Sequence, residues 1–280
     1  MKRLLYIALS AACSSEALAM ESAFYIENQM PDKAYMDVAY SFVDSNYSSQ
    51  NLATSSVSNG IDFSLRENLR DQQSIWATTS LTNRRVDWGS QEASAVGLSD
   101  IAFGYKRGRT FALLTATYGL AGSLSPGVAM DPRLGQVSQI NNFSGVQSIG
   151  PFAGFESYYG NTAMGAEFKI DAYSDIHYED RGSAQVQNNP NRFVPKLKGF
   201  VEVPLSHAWD WGAEFEVGRN TFAVDQMLLG GPGNEYAART YASWKFNPRN
   251  AFVGALSAAD EKYPLPVSGI GVSLALHEEM

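Results

Sequence analysis

The sequence predicts an all-β fold: a transmembrane antiparallel up-and-down β-barrel of about twelve strands. Three observations predict it. Apolar and polar residues alternate with period two through most of the 280 residues, and convincing amphipathic helices are absent. No apolar run beyond the N-terminal segment is long enough for a membrane helix. Short and long connections also alternate along the chain, as they do when one rim of a barrel faces the periplasm and the other the outside.

The chain opens with the layout of a secretory signal. Lys2 and Arg3 form a basic start, Leu4 to Ala12 a short apolar core, and Ala17-Leu18-Ala19 a small-residue cleavage site. A rival layout makes Cys13 a lipid-modified first residue after Ser10-Ala11-Ala12, but Ser10 stands where leucine is usual. Cleavage after Ala19 is the preferred reading. It divides the chain into a signal over 1–19, a periplasmic segment over 20–33 and a barrel over 34–280. Cys13 is the only cysteine, so the mature segment has no means of forming a disulfide. The net charge of -8 argues against a nucleic-acid partner.

Strands are expected at 34–43, 57–66, 73–82, 98–106, 109–120, 147–158, 161–174, 192–205, 209–222, 235–246, 250–258 and 268–277. Their length suits a tilted crossing of the hydrocarbon layer. An even count puts both termini on one side, the periplasmic side of an outer membrane in a Gram-negative-type cell. Short links are expected at Lys106-Arg107-Gly108-Arg109, Tyr159-Gly160-Asn161, Ser206-His207-Ala208 and Asn247-Pro248-Arg249-Asn250. Long ones are expected at 44–56, 83–97, 121–146, 175–191, 223–234 and 259–267.

Tyr105, Tyr158, Tyr159, Trp209, Trp211, Trp244, Phe246 and Phe252 cluster beside the short links. Amphipathic rings settle where headgroups meet hydrocarbon, so these residues are expected to form a membrane-interface girdle. Along the strands, charges share one face. The acids on it are Asp37, Asp62, Asp100, Glu156, Glu167, Asp171, Glu202, Glu214 and Glu216; the bases are Arg66, Lys106, Lys169, Lys196, Lys198, Arg239 and Lys245. Charge against lipid is costly, so this face belongs to the lumen. A tight 206–208 turn would set Lys198 opposite Glu216.

Two uses of such a lumen compete. The charges line a wet pore with mild cation preference, or they neutralise one another and fill the barrel. The 121–146 loop, with Ser125-Pro126-Gly127 and Asn141-Asn142-Phe143, either folds inward as a constriction or covers the mouth. Met227-Leu228-Leu229-Gly230-Gly231 is unusually apolar for an outer loop, and packing inside the protein or contact with a protein partner would both explain it. Three histidines are available for hydrolase chemistry: His207 in a turn, His277 near the end, and His177 at the outer rim on the lumen side by parity. None has an evident serine and carboxylate beside it, so no catalytic residue is assigned. Asp175, Glu179 and Asp180 lack the spacing of a metal site, and neither metal nor cofactor is expected.

Two resemblances add to this reading. Gly271-x-x-Leu274-x-Leu276 resembles the C-terminal assembly signal of outer-membrane proteins, with leucine in place of the usual aromatics and a His277-Glu278-Glu279-Met280 tail. Gly97-Leu98-Ser99-Asp100-Ile101-Ala102-Phe103-Gly104-Tyr105-Lys106 resembles one glycine-rich strand of outer-membrane transporters of the phenol meta-pathway family. That resemblance implies uptake of small solutes, aromatic ones among them. The leading expectation is a channel giving passive passage to small solutes through a mixed-charge lumen, in contact with outer-membrane lipid. Binding through the surface loops, or a structural barrel without an open pore, is second, and a lipid-modifying enzyme third.

Overall fold

Alternation along the chain becomes fifteen strands and no helix among the described residues of a computed structural model. The described residues are 32–48, 53–70, 72–88, 90–112, 114–131, 139–160, 162–187, 193–220, 233–261 and 267–280. The expected signal sequence and the apolar stretch Met227 to Gly231 lie outside them.

The strands are β1 (Ala34–Ser48), β2 (Ala53–Leu69), β3 (Gln73–Trp88), β4 (Gln91–Leu98), β5 (Ile101–Phe111), β6 (Leu114–Leu124), β7 (Ser148–Tyr159) and β8 (Thr162–Tyr173). They continue as β9 (Ile176–Asp180), β10 (Ser183–Gln187), β11 (Phe193–Pro204), β12 (Trp209–Asn220), β13 (Gly233–Asn247), β14 (Asn250–Glu261) and β15 (Val267–Glu279). β9 and β10 form a separate hairpin. β4 and β5 both pair with β3, on its two halves, and are one wall strand interrupted at Ser99 and Asp100. Twelve wall strands remain.

Every pairing in the wall is antiparallel, and neighbours in sequence are neighbours in space. The first strand meets the last from Tyr35↔Glu279 to Asn46↔Ser268, which closes the barrel. Closure removes the unpaired edges that no sheet can carry through hydrocarbon.

The outward face is apolar in every wall strand. Tyr40, Ile61, Leu81, Leu98, Phe111, Leu120, Phe155, Phe168, Leu197, Phe215, Trp244, Leu256 and Leu274 are all exposed. Leu256 and Leu274, at 58% and 60%, are as open as surface lysines usually are. A water-soluble protein does not display a continuous apolar belt of this kind, whereas lipid requires one.

Several connections differ from the sequence expectation. The basic cluster at 106–109 is strand: Lys106 pairs with Gly119 and Arg109 with Ala116, and the turn comes at Ala112, whose φ is 55°. The turn stands past Thr110 and Thr115, whose hydroxyls bond across the pair at 3.0 Å. The links 44–56 and 83–97 are mostly ladder, with β1 running on to Ser48 and β3 to Trp88. Their polar residues lie on both faces, which hides the period of two, but backbone groups above the membrane still gain by pairing. The link 175–191 contains the β9–β10 hairpin, and the strand expected at 98–106 is divided by the break at Ser99. β1 to β4 therefore raise one side of the wall above the rest.

The barrel lumen as candidate functional site

Strand parity turns fifteen of the sixteen expected lumen residues inward, and the other, Asp100, stands at the break between β4 and β5. Glu156 pairs with Lys106 and accepts a 2.7 Å bond from the Tyr158 hydroxyl. On β8, Lys169 meets Asp171 at 2.8 Å, and Glu167 stands opposite Lys198. On β11, Lys196 lies 3.5 Å from Asp171 and 3.6 Å from Glu216. Lys198 stands opposite Glu216 in register but reaches diagonally to Glu214 at 3.9 Å. Glu202 accepts from the Tyr241 hydroxyl at 2.5 Å, and Lys245 meets Asp210 at 2.6 Å. Arg239 stands opposite Glu214 on β13.

These charges are unevenly distributed. They crowd onto β7, β8 and β11 to β13, while β14, β15 and β1 face them with small residues. Ala39, Ala251, Val253, Ala255 and Ala275 pack there in a buried cluster with Tyr241. The half of the lumen near the short turns is filled by side chains, because Asp37, Arg66, Glu202, Asp210 and Ser243 are all buried. Midway along, Lys169 and Glu216 keep 22% and 24% of their side-chain surface open.

Two interior rings lie flat against the wall because glycine stands opposite them. Trp76 pairs with Gly104 and Tyr241 with Gly212. A Cβ on Gly104 would come within 2.3 Å of the Trp76 ring, and one on Gly212 within 2.1 Å of the Tyr241 ring. Glycine vacates the space that each ring occupies, as in aromatic rescue of sheet glycines.

The described stretches of the 125–147 loop, 125–131 and 139–147, fold inward. Arg84, facing the interior of the raised wall, meets Asp131 at 2.7 Å, with both side chains nearly inaccessible. The Asn142 side-chain amide donates to the carbonyls of Thr82 and Gly97 at 2.8 and 2.9 Å. Asp100, at the strand break, accepts the Ser144 amide at 3.1 Å. On the opposite side Ala129 and Val146 pack with Tyr173, Ile176 and Val194. Ala129 also exchanges backbone bonds with His177 and Glu179, each 2.8 Å. The wall residues Arg84, Tyr173 and Val194 all have the inward parity, so these described stretches lie inside the mouth rather than on the rim.

Two girdle expectations need correction. Tyr158 shares the parity of Glu156, bonds to it, and belongs to the lumen. Tyr105 faces outward, but the displaced turn leaves it well up the strand, with its hydroxyl 3.0 Å from Gln73 Oε1. Tyr159 is exposed beside its turn. The other five form an outward arc over β12 to β14. Trp244 stacks with Trp209 and with Phe252, each at 6.3 Å between ring centroids, and Phe246 lies 5.0 Å from Phe252. Trp211 donates to Thr240 at 3.0 Å.

The histidines also separate. His177 and His207 have exposed side chains. His277 is buried in the lumen, 2.6 Å from Asp37 and stacked on Tyr35 at 5.4 Å. Parity along 271, 273 and 275 carries that inward placement, so the signal was present in the sequence.

No protein-family model matches the chain, and no curated protein matches it. Solved structures do. An outer membrane channel from Pseudomonas putida F1 superposes with a TM-score of 0.62 at 10% identity, covering 89% of this chain and 96% of that one. The fold is that of an outer-membrane barrel. The translocator domain of the autotransporter NalP from Neisseria meningitidis matches with a TM-score of 0.53 at 11% identity, covering 90% of each chain. At such identities the likeness concerns architecture alone.

Proposed function

We propose that this barrel is an outer-membrane channel that passes small solutes along the charged side of its lumen. The observation that carries the reading is the ladder of ionised residues on β8 and β11 to β13, from Lys245 and Asp210 up to Lys196, Asp171 and Lys169. A ladder of this kind offers a polar solute successive partners, none strong enough to trap it. In the same reading the short-turn rim faces the periplasm, with both termini on that side, and the arc of Trp209, Trp211, Trp244, Phe246 and Phe252 lies at the headgroup level.

The filled half near the short turns favours a second reading, a barrel stabilised by internal ion pairs with no open path. Single-channel conductance of the refolded protein in a planar bilayer separates the two. Stable steps whose ion selectivity falls when Glu214 and Glu216 are replaced by Gln would uphold the channel. Silence from demonstrably folded barrels would leave the filled barrel.

A further inference from the structure

We infer that Arg107 and Arg109 form a binding point for the phosphate of an anionic phospholipid, on the membrane-facing surface at the short-turn rim. The site lies outside the barrel, so it stands apart from any solute path.

Register fixes the face. On β3, Ser74, Thr78 and Arg84 are buried toward the lumen, while odd-numbered residues such as Leu81 point outward. Arg107 pairs with Gln73 and Tyr105 with Ile75, so both join that outward row. Arg109 and Phe111 continue it toward the turn. On β6, Tyr118 stands opposite Arg107 and Ala116 opposite Arg109. Both arginines are exposed, as are Phe111 and Tyr118. Above them the same face runs apolar through Tyr105, Phe103 and Leu98 to Val96, the length a tilted strand needs to cross hydrocarbon. A guanidinium is costly inside that layer and tolerated at its edge, so the pair belongs at the headgroup level. Beside the turns on the opposite side of the wall, β12 to β14 present rings; β5 presents two permanent charges.

The acids on this side of the rim are engaged elsewhere or distant. Asp32 lies 3.6 Å from Arg70, and Glu156 pairs with Lys106 inside the lumen. Glu67 is two strands away, opposite Ile75. The Arg109 guanidinium carbon lies 5.2 Å from the centre of the Phe111 ring, which fills one face of the fork and leaves its N–H edge open. Alternate residues on one strand face stand about 7 Å apart, so two long side chains can close on one phosphate group. With two cations and no adjacent acid among the described residues, a headgroup of net negative charge is favoured over a zwitterionic one.

Phosphatidylglycerol and phosphatidylcholine are the probes. The full refolded barrel is held in detergent micelles doped equally with both, and native mass spectrometry weighs the lipids it retains. Wild type should retain phosphatidylglycerol in preference. Each arginine replaced by glutamine should lower that preference about fivefold. The Arg107→Gln, Arg109→Gln double variant should retain both lipids alike, and either single variant serves if the double one does not refold. Arg85→Gln, whose guanidinium is already paired with Glu92 at 2.8 Å, should match wild type. Inorganic phosphate added beforehand should not displace the lipid. Equal retention of the two lipids by wild type, as when the arginines only reach into water, would overturn the inference. So would a preference that survives in the variants, or one that inorganic phosphate abolishes, which would reassign the pair to a soluble anion.

Discussion

At the scale of single residues, the lumen is shaped as much by what is missing as by what is charged. Gly104 and Gly212 provide the hollows that hold Trp76 and Tyr241 against the wall. Gly104→Ala should push the indole into the lumen, because its new methyl would occupy the ring's position. The expected result is a clear fall in single-channel conductance, with restoration in the Gly104→Ala, Trp76→Ala double variant. A fall that the double variant leaves in place would assign the effect to strand distortion. Parity made the inward charges legible from sequence, Lys198 and Glu216 included. It did not reveal which charge each one chooses, because a long side chain can reach a diagonal neighbour as well as the one opposite. Nor did it reveal the Trp76 and Gly104 pairing, since the stretch 83–97 that joins their strands was read as a link and left their register unspecified.

Among the elements, the 125–147 loop has most to answer for. Its hold on the raised wall combines the Arg84 and Asp131 pair, both nearly inaccessible, with the Asn142 bonds to Thr82 and Gly97. Breaking a buried pair by removing one partner costs about 3–5 kcal/mol, since the survivor keeps its charge without compensation. Asp131→Asn should therefore loosen the loop while leaving the barrel intact, because the twelve-strand closure does not pass through this contact. Limited proteolysis should cut within 125–131 or 139–147 in the variant and spare both stretches in wild type. Larger or more frequent conductance steps should accompany the cut-sensitive state if the loop narrows the path. Sequence alone marked this loop as the longest and left its direction open, because Ser125, Asn141 and Asn142 suit a surface turn as well as an internal strut. What decides the matter is Arg84, on a stretch read as a link. The same misreading hid the raised wall, whose polar faces carry no hydrophobic period for a reader to follow.

For the whole molecule, fold class and wall-strand count were legible because they depend on features repeated a dozen times, so that a misplaced turn does little harm. The belt of outward apolar residues should make the protein resist salt extraction and yield to detergent. Its gel mobility should shift on boiling, as a closed barrel gives way to an extended chain; identical mobility before and after boiling would contradict closure. The seam between β1 and β15 carries a kinetic consequence. Its contacts join residues as far apart as Lys33 and Glu279, 246 positions along the chain, so they are the last that synthesis makes available. Until Val267–Glu279 arrives, every intermediate has two unsatisfied borders, and each is a template for pairing with a neighbouring molecule. Assembly of this protein is therefore a race between sealing on itself and joining its siblings, and the final strand decides the winner.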